Sequence, residues 1–599
     1  MENREDLNSI LPLLPLILRS SSLCWPSKAL ESLKALSRGP QYSQVNSGAI
    51  LFDAIVDLRD SIGLSKERLR LHAADGYALF FDDLMDRVES GKWFGEIIPS
   101  LASLLLRLPS LLEDHYRNTD SIFSEGKDGS IITTGLRLLG SQEAGIVFLS
   151  QELIGALLAC SFFCLFPTLN RSSKHLPTIN FDNLFEPLYS QGNQSQEHKI
   201  KCIIHYFKRI CLCMPMGFVS FERKVLPLKH SPFCIVYPDA DFWSKSIAPL
   251  CSFKVLHSGL IEDQQYEALE VDFANKYIGG GALHSGCVQE EIRFMINPEL
   301  IVSMLFLPSM EDNEAIEIIG AERFSNYRGY ASSFRFLGDY LDKKPIDSMG
   351  RRKTRIVAID ALCNPRMTQY RLEGLLREAN KAFCGFLDQS KYQQYLKLFQ
   401  EGSFSRDKSG QDIDGADIKA RNILPAGDES LSIRTCDHVS EKASCSSPGT
   451  QLKLPVSSAS DEAFNERASG VELIGNYYQK HSQGPESQNN IGIATGNWGC
   501  GAFGGDPELK CTIQWLAASQ ALRPFILYYT FKETSLKRLE EVSQWILLQE
   551  WTVGDLWNML IEYLSQKWNG ETRAGFLSWL LPSLPEHDDM ITVTSSMSE

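Results

Sequence analysis

Two adjacent carboxylates, Glu290 and Glu291, follow a triple glycine, Gly279-Gly280-Gly281, after a seven-residue loop. Carboxyls so placed suit general acid/base work, in which one group protonates a leaving oxygen and then takes a proton from water. Three glycines reach positive φ without strain and let a bulky ligand approach the backbone. Free N–H groups there can cradle a phosphate or a sugar. Taken alone, the glycines equally make a plain flexible turn, and the glutamates a solvated helix face. Neighbours on a helix point about 100° apart, so the two acids cannot both aim at one atom. They can divide labour, one facing a reacting oxygen and the other a sugar hydroxyl.

A second stretch, Asn490–Asp506 (NIGIATGNWGCGAFGGD), has glycines at 492, 496, 499, 501, 504 and 505 between a short strand and a helix starting at Pro507. Its backbone donors and the helix N-terminus suit a diphosphate. It lacks GxxxxGK[ST], which rejects a Walker loop, and lacks a Rossmann GxGxxG at that junction. Trp498 and Phe503 offer flat surfaces, or serve as core aromatics in a tight turn.

Helices and strands must position these segments. In the first 210 residues, Ala74–Val88, Pro99–Leu108, Ile146–Phe166 and Lys199–Cys213 read as helices and carry no catalytic constellation. The apolar core of the third, Leu153–Phe166, spans 14 residues. A bilayer span needs about 20, so a buried core helix is expected there. From about residue 215, short β-prone runs appear: Phe233–Tyr237, Phe253–Leu256, Leu269–Phe273, Ala315–Ile319, Ile356–Ile359 and Phe525–Phe531. Helical patterns at Gln289–Leu305, Met367–Phe386 and Pro507–Leu522 alternate with them, as in an α/β layered domain with a mixed sheet. Residues 389–489 are rich in Ser, Gly and charge without apolar periodicity, and read as a disordered insertion on the surface.

Composition narrows the chemistry. The 599-residue chain carries 59 Lys+Arg against 74 Asp+Glu, for a formal net charge of −15. A broad nucleic-acid coat needs a basic excess, so direct duplex binding is not expected. Fifteen cysteines without a CxxC or a zinc pattern read as reduced thiols of the cytosol or nucleus. The acidic start, with Pro12 and Pro15 inside Leu11–Leu18, does not make a secretory signal. The one dense basic cluster is Arg351, Arg352, Lys353 and Arg355: a solvated approach to the following strand, a nuclear address or a polymer contact.

VDFANKYIGGGALHSGCVQEEIRF (271–294) and ATGNWGCGAFGGD (494–506) resemble the two hallmark segments of the poly(ADP-ribose) glycohydrolase family, in its plant-type form. LSQELIGALLACSFFCLFP (149–167), FKVLHSGLIED (253–263), RGYASSFRF (328–336) and YYTF (528–531) extend the resemblance over roughly 145–388 and 490–570. It implies a helical accessory domain (1–215) before a macrodomain-like three-layer α/β/α sandwich with a mixed central sheet (216–570). A flexible tail (571–599) follows. The implied reaction is hydrolysis of the ribose–ribose O-glycosidic bonds of poly(ADP-ribose), releasing ADP-ribose without metal or other cofactor. Poly(ADP-ribosyl)ated proteins in the nucleus or cytoplasm would be its substrates, in the response to DNA damage. It would act as a monomer and away from membranes.

By the same resemblance, Glu291 is the general acid/base. Glu290 holds ribose hydroxyls, and Asp272 is the third acidic site residue. Asn275 and Gln289 hydrogen-bond the ribose, and Gly279, Gly280 and Gly281 approach the ligand. Ile261 and Glu262 line the adenine end, and Tyr330 closes over the ligand. Asn497, Trp498, Gly499, Cys500, Gly501 and Ala502 wrap the diphosphate. Phe503 packs on the terminal ribose and Phe531 on the opposite side. Two rivals remain: a non-catalytic ADP-ribose reader, which needs no acid, and an NAD-dependent oxidoreductase, which the missing Rossmann fingerprint disfavours.

Overall fold

The computed structural model describes residues 3–122, 134–230, 233–235, 237–264, 266–388 and 491–582. One eight-stranded sheet organises them: β1 (Gly145–Ser150), β2 (Phe218–Val225), β3 (Ser252–Leu256), β4 (Ala268–Ala274), β5 (Glu314–Ile319), β6 (Arg355–Asp360), β7 (Gly492–Gly496) and β8 (Phe525–Tyr529). The order is β1-β2-β5-β6-β4-β7-β8-β3. The five strands from β6 to β3 run parallel, whereas β5, β2 and β1 pair antiparallel. This is the expected mixed sheet with helices on both faces.

Strand alternation divides the interior. Val357 and Ile359 of β6 enter a core shared with helices α5 (Leu372–Phe386), α6 (Pro507–Gln520) and α8 (Val553–Asn569). Ile356 and Ala358 face the other core, built with α2 (Gln151–Phe162), α3 (Gln194–Leu212) and α4 (Gln289–Ile296). That second core continues without a break into the N-terminal helices. The expected boundary at residue 215 is therefore not a break in packing. Nor is the region before it purely helical: Gly145–Ser150 is a strand, and α2 begins only after Ser150, whose side chain caps Leu153 N–H. A continuous apolar run satisfies strand and buried helix alike, which is why Ile146–Phe166 read as one helix.

Phe233–Ile235 pairs with Leu228–His230 in a separate small hairpin rather than joining the main sheet. Among the described residues, Arg87–Thr119 is long and apolar enough to cross a membrane. It holds α1 (Ile98–Ile122), whose Leu101, Leu105, Leu108 and Leu112 are fully buried in the core. The basic cluster is paired throughout: Arg351 with Asp347, Arg352 with Glu322, Lys353 with Glu267 and Arg355 with Glu317.

The insertion at 389–489 lies outside the described residues, but its two roots are held together. Arg523 donates to the carbonyls of Phe386 (2.7 Å), Leu387 (3.3 Å) and Ile491 (3.4 Å). The expected flexible tail is in part ordered. Phe576–Leu580 is a helix, Phe576 and Leu577 are buried, and Leu577 N–H meets Glu508 at 2.6 Å. Two aromatic residues in that stretch gave it an apolar surface to bury.

Candidate active site

A cavity of about 530 Å³ opens where four adjacent parallel strands end, the usual ligand position in such sheets. Ala274 ends β4, Ala361 follows β6, Asn497 follows β7 and Phe531 follows β8; all four line it. So do the expected Ile261, Glu262, Gln289, Tyr330, Trp498, Gly499, Cys500, Gly501, Ala502 and Phe503. The structure thus gathers twelve of the nominated residues from segments up to 270 positions apart.

The other seven are not among the residues that line it, although their chain neighbours Phe273, Ala274, Val288, Gln289 and Ile292 are. Glu290 and Glu291 occupy the second and third positions of α4 and are buried. Helical side chains lean toward the N-terminus. Both carboxylates therefore reach back into the Gly279–Gly281 loop, and the expectation that they cannot converge is wrong. A Cβ at Gly280 would lie 2.5 Å from Glu290 Oε2 and 2.7 Å from Glu291 Oε1. Glu290 accepts from the N–H groups of Asn275 (2.8 Å) and Gly279 (2.6 Å). Glu291 accepts from Gly281 (2.9 Å) and Val288 (2.8 Å). Gly279 and Gly280 sit at φ +87° and +48°, where a side chain is strained. The triple glycine thus spends amides on the acids instead of cradling a phosphate.

Asp272, one strand residue from the cavity, completes a buried acidic cluster; neither of its carboxyl oxygens has a hydrogen-bond partner among the described residues. Burial first, then the charge of Glu291, raises the Asp272 carboxyl to about 7 despite nearby Arg293. Burial, with Asp272 and Glu291 as like charges, holds Glu290 well above the usual carboxylate range.

Several nominated side chains have other work. Asn275 Oδ1 accepts from Tyr277 N–H at 3.0 Å. Gln289 pairs its amide with β4, accepting from Phe273 N–H (2.8 Å) and donating to Val271 O (3.2 Å). Trp498 is fully buried; its indole donates to Ile359 O at 2.9 Å, and Lys510 Nζ stands 4.0 Å over its ring. It pins the glycine loop to β6 and offers no face to a ligand. The N-terminus of α6 is capped by Asp506, which accepts from Glu508 and Leu509 N–H, so an anion does not take those donors. The amides of Gly499, Gly501, Ala502 and Phe503 have no partner among the described residues and line the cavity. They are backbone donors left available to an anion.

Three contributors were not anticipated. Tyr327 lines the cavity and donates its hydroxyl to Glu262. Arg293 also lines it, paired with Glu270. Lys199, fully buried on α3, donates to the carbonyls of His284 and Gly286, each at 2.5 Å, and to Gly281 at 3.4 Å. It ties the acid-bearing loop to the helical region. Its position read as the start of the helix at Lys199–Cys213, and no local pattern marked it as buried.

Comparison with known proteins agrees with this geometry. The family model described as "Poly (ADP-ribose) glycohydrolase (PARG), Macro domain fold" matches residues 240–538. Its helical-domain counterpart matches 85–223. Poly(ADP-ribose) glycohydrolase 1 of Arabidopsis thaliana is 57% identical over 584 residues, 98% of each chain. Probable poly(ADP-ribose) glycohydrolase 2 of the same plant is 49% identical, covering 98% of this chain and 100% of its own. Poly(ADP-ribose) glycohydrolase 1 of Caenorhabditis elegans is 26% identical over 71% of this chain and 41% of its own. With matches of this extent on both the helical region and the sheet-bearing domain, the chain belongs to the poly(ADP-ribose) glycohydrolase family.

Proposed function

We propose that this chain hydrolyses the ribose–ribose O-glycosidic bonds of poly(ADP-ribose) and releases ADP-ribose, with Glu291 as the acid/base. The observation that carries the reading is the buried cluster of Asp272, Glu290 and Glu291, the two glutamates clamped by loop amides, whose chain neighbours Phe273, Val288, Gln289 and Ile292 line a cavity of nucleotide size. A reader of ADP-ribose needs the cavity but not three buried acids, whose interment costs free energy.

The chemistry follows from the arrangement. Ordinary glycosidases set two carboxylates about 5–9 Å apart on opposite sides of the bond. Here both glutamates converge on Gly280 from one side, so one of them performs both proton transfers. Glu291 protonates the leaving ribose oxygen as the glycosidic bond breaks, then accepts the proton of the water that attacks the oxocarbenium-like carbon. Glu290, whose carboxyl is pushed above the usual range by burial and by its acidic neighbours, orients the ribose hydroxyls. The free amides of Gly499, Gly501, Ala502 and Phe503 hold the diphosphate. The twelve cysteines whose side chains are described are free thiols, in keeping with a nuclear or cytoplasmic setting.

Glu291→Gln is the test. Turnover of poly(ADP-ribose) should fall on the order of 10²–10⁴-fold, while calorimetric ADP-ribose affinity stays near wild type. Near-wild-type turnover in that variant would refute the assignment.

A further inference from the structure

Tyr330 sits at the tip of a hairpin whose strands are Ser325–Arg328 and Arg335–Asp339. Its last ladder pair sets Arg328 directly opposite Arg335. Like charges across a ladder are unfavourable unless an anion lies between them. Neither guanidinium meets a carboxylate. Arg335 donates to the carbonyls of Ser332 (3.0 Å) and Phe334 (2.7 Å) and to Gln194 Oε1 (2.6 Å). Arg328 is exposed and has no hydrogen-bond or ion-pair partner among the described residues.

Helix α3 adds two bases at the same place. Burial, then the charges of Lys201, Arg335 and Arg328 against that of Glu197, lowers the pKa of His198. Its buried Nδ1 has no partner among the described residues. Lys201 alone has an acid, Glu197, at 2.5 Å. The cluster therefore keeps a positive excess in a strongly acidic molecule. It lies on the acid side of Tyr330: Arg335 acts on the Cys287 thiol, which also feels Glu291, and Ala331 N–H donates to Cys287 O at 3.0 Å.

We propose that Arg328, Arg335, His198 and Lys201 form a second subsite, outside the cavity, for the diphosphate of the polymer unit on the leaving side of the bond. The assignment rests on the chain being a poly(ADP-ribose) glycohydrolase. With ADP-ribose filling the cavity, the bond to be cut lies at the acids, and the remaining polymer departs past Tyr330. Its next diphosphate follows one ribose beyond that bond. The facing guanidiniums offer it paired donors. The cavity by itself would bind free product as well as polymer end. The outer subsite is what favours polymer.

Steady-state kinetics of the full-length chain on poly(ADP-ribose), with parallel ADP-ribose titrations, tests this. Arg328→Glu should lower kcat/KM for polymer about tenfold and Arg328→Gln about threefold, mainly through KM. ADP-ribose affinity should shift less than about twofold, because that ligand does not reach the subsite. The slope of log kcat/KM against log salt should flatten by about one for the removed charge. Unchanged polymer kinetics in both variants would overturn the subsite, as would an equal loss of ADP-ribose affinity. Wild-type protein that leaves the polymer uncut would instead overturn the reading of its function.

Discussion

The acids of this site are arranged by glycines more than by each other. Gly280 is the point where both glutamates meet, and any side chain there collides with their oxygens at 2.5 and 2.7 Å while its φ of +48° disfavours one. Gly280→Ala should therefore cost on the order of 10²-fold in turnover through misplaced carboxylates, with ADP-ribose affinity largely kept; kinetics and calorimetry on one preparation check it. The buried Asp272 makes a different prediction. Its folded pKa is raised above the ordinary aspartate value, so the folded state binds more protons between about pH 4 and 7. Stability from this group is complete below that window and is lost as pH rises through it. Asp272→Asn should flatten that fall and stabilise the protein at pH 8, on the order of 1–3 kcal/mol, as read from melts across pH. The acids were legible from their spacing after the triple glycine. Their convergence was not, because it depends on how the loop folds back over the helix start.

At the level of elements, the site is a joint between α3 and the loop preceding α4. Lys199 closes it by holding three loop carbonyls. Lys199→Met should leave those carbonyls unsatisfied, lowering stability by about 1–3 kcal/mol and turnover ten- to a hundredfold. Thermal melts and kcat measure the two effects. Arginine should not rescue it, because a planar guanidinium fork does not present its donors as the compact, fully buried ammonium does. Strands β3, β4, β5, β6 and β8 were readable from short β-prone runs. The strand β1 was hidden in an apolar run, and the 199–286 tie was unreadable because its partners lie 82 to 87 residues apart. Helical period shows which face is basic, but only tertiary packing shows which basic residue is buried.

For the whole molecule, the roots of residues 389–490 meet at a single guanidinium. Arg523 gathers the carbonyls on both sides of that segment within hydrogen-bonding reach. Replacing residues 389–490 with a short Gly/Ser linker should then leave turnover within about twofold and the melting temperature nearly unchanged, since joining neighbouring ends costs little loop entropy. Assay of the shortened chain against the full one decides this. A latch of this kind sets the gap that any segment joining Leu387 to Ile491 has to bridge, so a change of length there is expected to be absorbed outside the sheet.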